Sequence, residues 1–68
     1  MSVSYKKLWK ILIDKNINKT TLRDIVKISN QTLSKLSKNQ YVSLEILERI
    51  CISLDCNIGD IIEFLKGE

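Results

Sequence analysis

Asn18-Lys19-Thr20-Thr21-Leu22-Arg23-Asp24-Ile25-Val26-Lys27-Ile28-Ser29-Asn30-Gln31-Thr32-Leu33-Ser34-Lys35-Leu36-Ser37-Lys38-Asn39 is the stretch that decides the fold, because it reads as two short helices about a tight bend. Asn18 or Thr20 can cap a helix with Leu22, Ile25 and Val26 on one face, since either side-chain oxygen can accept an unpartnered backbone N–H. That helix is expected to end near Lys27. Ser29 can cap a second helix, with Thr32 at the capping distance and Leu33 and Leu36 as a narrow apolar stripe. Little besides Ile28 is left to turn the chain, so the helices must cross steeply, with Leu22, Val26, Ile28, Leu33 and Leu36 meeting at the corner. Asn30, Gln31, Thr32, Ser34, Lys35 and Lys38 then point away from the stripe and form a face without acids or bulky aliphatics. Asn and Gln amides can pair with adenine, Lys can donate to guanine, and Ser or Thr can bond bases or phosphates. The same residue types also make an ordinary solvated helix face.

Charge separates these readings. Residues 1–40 hold nine Lys or Arg against Asp14 and Asp24, a balance of +7, whereas residues 41–68 hold Arg49 and Lys66 against six acids, a balance of −4. The basic half contains the second helix of the bend. Such a field would hold that half against phosphates and turn the acidic half outward, with an affinity that falls as salt rises.

Helical periodicity continues outside the bend. Tyr5, Leu8, Trp9, Leu12 and Ile13 follow the i, i+3, i+4 rule and predict a first helix. Ser43 predicts a fourth, with Leu44, Leu47, Ile50, Cys51 and Leu54 inward and Glu45 well placed against the helix dipole. Asn57 and Asp60, at capping-box spacing, predict a fifth with Ile58, Ile61, Ile62 and Leu65. With no proline, repeat or alternating pattern, the expectation is an all-α, compact five-helix domain over residues 1–68, without strands. At 68 residues its core must be small, with little room for an enclosed active site.

Several function classes find no support in these residues. The chain has no His, the usual catalytic base and metal ligand. Cys51 and Cys56 have neither Cys-x-x-Cys spacing nor further ligands for zinc, and read as small apolar residues in a reducing compartment. Gly59 and Gly67 form no phosphate-binding loop. No catalytic residues, metal or cofactor are therefore expected. Apolar runs of at most three residues predict neither a membrane span nor a signal peptide, hence a cytoplasmic protein.

Ile28-Ser29-Asn30-Gln31-Thr32-Leu33-Ser34-Lys35-Leu36, followed by Val42-Ser43-Leu44-Glu45-Ile46-Leu47-Glu48-Arg49-Ile50-Cys51, resembles the Cro and phage-repressor (XRE) family of helix-turn-helix regulators over nearly the whole chain. The resemblance rests on an aliphatic-Ser-x-x-Thr-Leu-Ser-Lys core and a Ser-Leu-x-x-Leu-x-x-Ile fourth helix. It implies a lambda-repressor-like domain whose helices 2 and 3 read double-stranded DNA, with the helix at about 29–38 in the major groove. Asn30, Gln31 and Lys35 would face base edges, assisted by Thr32 and Ser34. Lys19, Thr20, Ser29, Lys38 and Asn39 would meet phosphates. Family members usually bind palindromic operators as homodimers, and Phe64 and Leu65 are the expected dimer surface. No small-molecule ligand is evident. Arg23 stands where many members have a packed Ala, Lys27 where many have the turn Gly, and Gln40 where a loop Gly is common. The competing expectation is a protein-interaction module, such as an antitoxin or phage accessory factor, whose acidic half docks a basic partner without reading DNA.

Overall fold

Three of the four helices begin where the residue before them accepts a free backbone N–H with its side chain. In the computed structural model, which describes residues 2–66, β1 (Ser2–Ser4) leads into α1 (Lys6–Asp14), α2 (Lys19–Val26), α3 (Asn30–Ser37) and α4 (Leu44–Leu54). A 3-10 turn (Ile58–Asp60) and β2 (Glu63–Leu65) follow. The Asn18 side chain accepts the Thr21 N–H at 2.7 Å, Ser29 that of Thr32 at 3.1 Å, and Ser43 that of Ile46 at 3.2 Å. Each bond satisfies a donor that has no partner within its helix. Asn18 is thus the cap of α2, and Thr20 lies inside its first turn.

The four α-helices end alike, and none ends on glycine. A left-handed residue follows each: Asn16 (φ 60°), Lys27 (φ 62°), Asn39 (φ 56°) and Asp55 (φ 55°). The next N–H then reaches back five residues, from Ile17 to Leu12 at 2.8 Å, Ile28 to Arg23 at 3.2 Å, Gln40 to Lys35 at 2.9 Å and Cys56 to Cys51 at 3.0 Å. These bonds satisfy carbonyls that each helix leaves open at its end. Asn and Asp tolerate the left-handed region through local hydrogen bonding, whereas Lys27 carries a strain on the order of 1 kcal/mol.

The expected fifth helix is corrected, and with it the expectation of no strands. After a single 3-10 turn, in which the Asp60 carboxylate accepts the Asn57 N–H at 2.9 Å, the chain extends. Glu63–Leu65 pairs antiparallel with Ser2–Ser4 in the register Ser2 to Leu65, Val3 to Phe64 and Ser4 to Glu63. Gly59 weakens a helix here, and the Ile61-Ile62-Glu63-Phe64-Leu65 run has the β-branched and aromatic composition of a strand. Among the described residues the domain is therefore four α-helices with a small two-stranded sheet.

Leu8 and Leu12 of α1, Leu22 and Val26 of α2, Leu36 of α3 and Leu47, Ile50 and Leu54 of α4 converge on one core, closed by Val3, Tyr5, Ile28 and Ile61. The corner expected between α2 and α3 is present, with Leu33 half-buried at its edge. Ile13 departs from its expected stripe, lying about 120° round α1 from the Leu8–Leu12 line and facing solvent. Ile25 and Leu44 are exposed as well. Tyr5, expected inside the first helix, precedes it and is buried. Its phenol donates to the Gln40 carbonyl at 2.7 Å and its backbone N–H to Asn39 Oδ1 at 3.2 Å. The start of the chain is thereby tied to the loop that follows α3.

Candidate nucleic-acid interface

Leu36 is the one fully buried residue of α3, so it fixes which side of that helix faces outward. Opposite it lie Gln31, Ser34 and Lys38, flanked by Lys35 on one side and by Asn30 and Ser37 on the other, all exposed. Neither an acid nor a large apolar side chain interrupts this surface. Thr32 does not join it: it is half-buried, its hydroxyl lies 3.1 Å from Ser29 Oγ, and its N–H donates to the same atom. Ser29 and Thr32 together form the start of the helix.

Two long cations of α2 brace the flank of α3. Lys19 and Arg23 are four residues apart and share one face of α2, while Asn30 and Ser37, seven apart, share one face of α3. Lys19 Nζ donates to Ser37 Oγ at 3.3 Å and sits 4.3 Å from the centre of the Trp9 ring. An Nη1–H of Arg23 donates to Asn30 Oδ1, and its Nε–H and Nη2–H both donate to Asp24 Oδ1 at 3.2 Å. Positive charge therefore stands at both ends of the exposed face, Arg23 at its start and Lys19 with Lys38 at its finish. Sequence reasoning missed Arg23, Ser37 and Trp9 as members of this arrangement. The four- and seven-residue spacings were the available signal.

The remaining expected contact residues are distributed around this frame. Thr20 is exposed in the first turn of α2. Lys38 caps the end of α3, and Asn39 follows it with its carbonyl oxygen occupied by the Tyr5 N–H. Phe64 and Leu65 stand on β2 instead of a helix, exposed by 64% and 45%, on a strand that is accessible along its whole length.

Burial pushes the Cys51 thiol up to about 11, with contributions from the neighbouring Cys56 and from Asp60. Such a thiol is protonated at neutral pH and makes a poor nucleophile. Burial also raises the Tyr5 phenol, partly opposed by the nearby backbone of Val42. Among the described residues no three His, Cys, Asp or Glu side chains cluster to hold a metal, and no helix is long and apolar enough to cross a membrane.

The geometry is that of two short helices meeting at a packed corner, the second presenting a polar, cation-flanked face. Residues 7–67 match the model of the Cro/C1-type helix-turn-helix DNA-binding domain, and the chain belongs to that family. Its structure is similar to the crystal structure of the transcriptional regulator VanUg, form II, with a TM-score of 0.94 and 52% sequence identity, covering 97% of this chain and 88% of that one. No curated protein matches it.

Proposed function

We propose that this protein is a sequence-specific transcriptional regulator that reads the major groove of double-stranded DNA with α3. The observation that carries this reading is the uninterrupted outward face of α3, with Leu36 packed beneath it and Lys19 and Arg23 hydrogen-bonded alongside. Gln31 and Lys35 are the principal base readers, with Asn30 and Ser34 beside them. Thr32, tied to Ser29, contributes from the helix start, where Ser29 also lies within reach of a phosphate. Lys19, Thr20, Lys38 and Asn39 act as positioning contacts to the backbone, which fix register without carrying sequence information. Lys19 keeps its charge available, because a ring face and a hydroxyl do not neutralise it.

A single helix of eight residues reads few base pairs, so we further propose a homodimer on a palindromic operator, with half-sites about 34 Å apart. Phe64 and Leu65 support a dimer surface at β2, since an exposed strand edge with an aromatic side chain readily pairs with a second copy.

Selection from a pool of randomised duplexes, followed by fluorescence anisotropy, tests the reading. Gln31→Ala or Lys35→Ala is expected to weaken the selected duplex by about 1 to 3 kcal/mol and to relax preference at particular positions. Lys19→Ala should weaken every duplex alike and reduce the salt slope by about one unit. If no sequence is enriched and the α3 variants bind like the parent, α3 does not read bases.

One observation favours the interaction-module reading. Glu45, Glu48, Leu44 and Ile58 line an acidic, partly apolar hollow of about 410 Å³ on the side of α4. Salt-sensitive capture of a basic protein by a chain that enriches no duplex would favour it.

A further inference from the structure

Asn30 is the first residue of α3, and its carboxamide is not free to turn. A guanidinium carries five donors and no acceptor, so only the carbonyl oxygen of Asn30 can face Arg23, whichever way the amide might otherwise be drawn. Arg23 is itself fixed, because Nε and Nη2 both donate to Asp24 Oδ1 at 3.2 Å, leaving Nη1 aimed across the corner at Asn30. The Arg23 side chain is only 31% exposed, so it lies along the corner between the helices, while its Asp24 partner stands toward solvent at 66%.

We propose that Arg23 is a specificity-determining positioning residue: it turns the Asn30 carbonyl toward α2, so that Asn30 offers its Nδ2 donor to the groove. The inference rests on the major-groove reading of α3 and deepens it. Adenine presents an acceptor and a donor side by side and is read by an amide that brings both its oxygen and its nitrogen to the base. With the oxygen held toward Arg23, Asn30 instead matches the paired acceptors N7 and O6 of guanine, whereas adenine offers its donor only N7 beside a repelling N6 amino group. Asn30 alone would suggest adenine; the clamp reverses that expectation.

The test uses the full chain and the randomised duplex pool. The position read by Asn30 is the one whose preference disappears in Asn30→Ala. There the parent protein is expected to favour guanine over adenine by about five- to tenfold, the scale of one hydrogen bond to a base edge. Arg23→Ala should move that single ratio toward adenine by about fivefold while the other positions keep their preferences. Affinity for all duplexes should fall together, because one cation is lost. Arg23→Lys keeps the charge but cannot bond Asp24 and Asn30 with a rigid fork, so it should shift the same ratio without the general loss. Arg23 lies outside the core, and circular dichroism checks the fold; should Arg23→Ala fail to fold, Arg23→Lys carries the test.

The inference is overturned if the parent prefers adenine at that position, if Asn30→Ala alters no position, if neither Arg23 variant moves the ratio, or if both erase selectivity everywhere. These outcomes are separable from failure of the proposed function. A parent chain that selects no sequence overturns both, whereas a selective parent whose Asn30 position ignores Arg23 overturns this inference alone.

Discussion

Replacing Lys27 by glycine should make the protein more stable, although it removes a side chain and adds flexibility. Lys27 sits at φ 62° and ψ 50°, close to the left-handed minimum, where a Cβ crowds the following carbonyl at a cost of about 1 to 2 kcal/mol. Its backbone is committed to that shape: its own N–H reaches Arg23 O at 2.8 Å and the Ile28 N–H reaches the same oxygen at 3.2 Å. Its side chain is exposed and makes no hydrogen bond or ion pair among the described residues, so the substitution forfeits no contact. Against the relieved strain stands the greater freedom of glycine in the unfolded chain, about 0.4 to 1 kcal/mol. The net is about 0.5 to 1 kcal/mol of stabilisation, or a Tm higher by about 3 to 6 °C for a domain of this size. Thermal unfolding followed by circular dichroism measures it, with Lys27→Ala as the control. Alanine removes the same side chain but keeps the Cβ, so its Tm should stay near the parent value. A glycine variant no more stable than the alanine variant would show that the turn carries no strain worth relieving.

Three further outcomes follow from the packing and the titrations. Tyr5→Phe leaves the Gln40 carbonyl without its 2.7 Å donor and should cost about 1 to 2 kcal/mol in denaturant unfolding; an unchanged midpoint would remove the tie between the chain start and the α3 loop from the account. Cys51 ionises near 9.0 when unfolded and near 11 when folded, and the Tyr5 phenol is likewise raised above 10.0, so both groups stabilise the fold fully below about pH 9. That stabilisation is lost as pH climbs from 9 toward 11, visible as a falling Tm in that window and, at neutral pH, as slow alkylation of Cys51; a Tm that rises there contradicts the assignment. Phe64→Ser should dissociate the proposed dimer in sedimentation equilibrium while circular dichroism shows the helices kept, since the ring is exposed in the single chain; a dimer that persists places the interface elsewhere.

The bend and its caps were legible because they depend on local chemistry. Asn18, Ser29 and Ser43 each accept the N–H that their spacing indicated, and Leu22, Val26, Ile28 and Leu36 are buried together. The carboxy-terminal end was misread because Ile58, Ile61, Ile62 and Leu65 fit a helical period, while the partner that makes β2 a strand is a three-residue segment some sixty positions away. Ser2–Ser4 is too short to show alternation, and pairing across that distance leaves no local trace. The outward face of α3 was largely readable, except that Thr32 turns back to Ser29. What periodicity alone does not convey is how long side chains on one helix reach another. Arg23 looked like a departure from a small packed residue, yet it spans the corner to Asn30, and Lys19 spans to Ser37 past Trp9. Both contacts follow from the packing of α2 against α3, a tertiary fact.

Backbone amide shifts of the protein, followed by NMR as a selected duplex is added, test most directly whether α3 is the surface that meets DNA. The largest perturbations should fall on Ser29–Asn39 and on Lys19 and Thr20, with the outward side of α4 around Glu45 and Glu48 unmoved. Perturbations centred on Leu44–Leu54, with α3 silent, would contradict the placement of the groove-reading face.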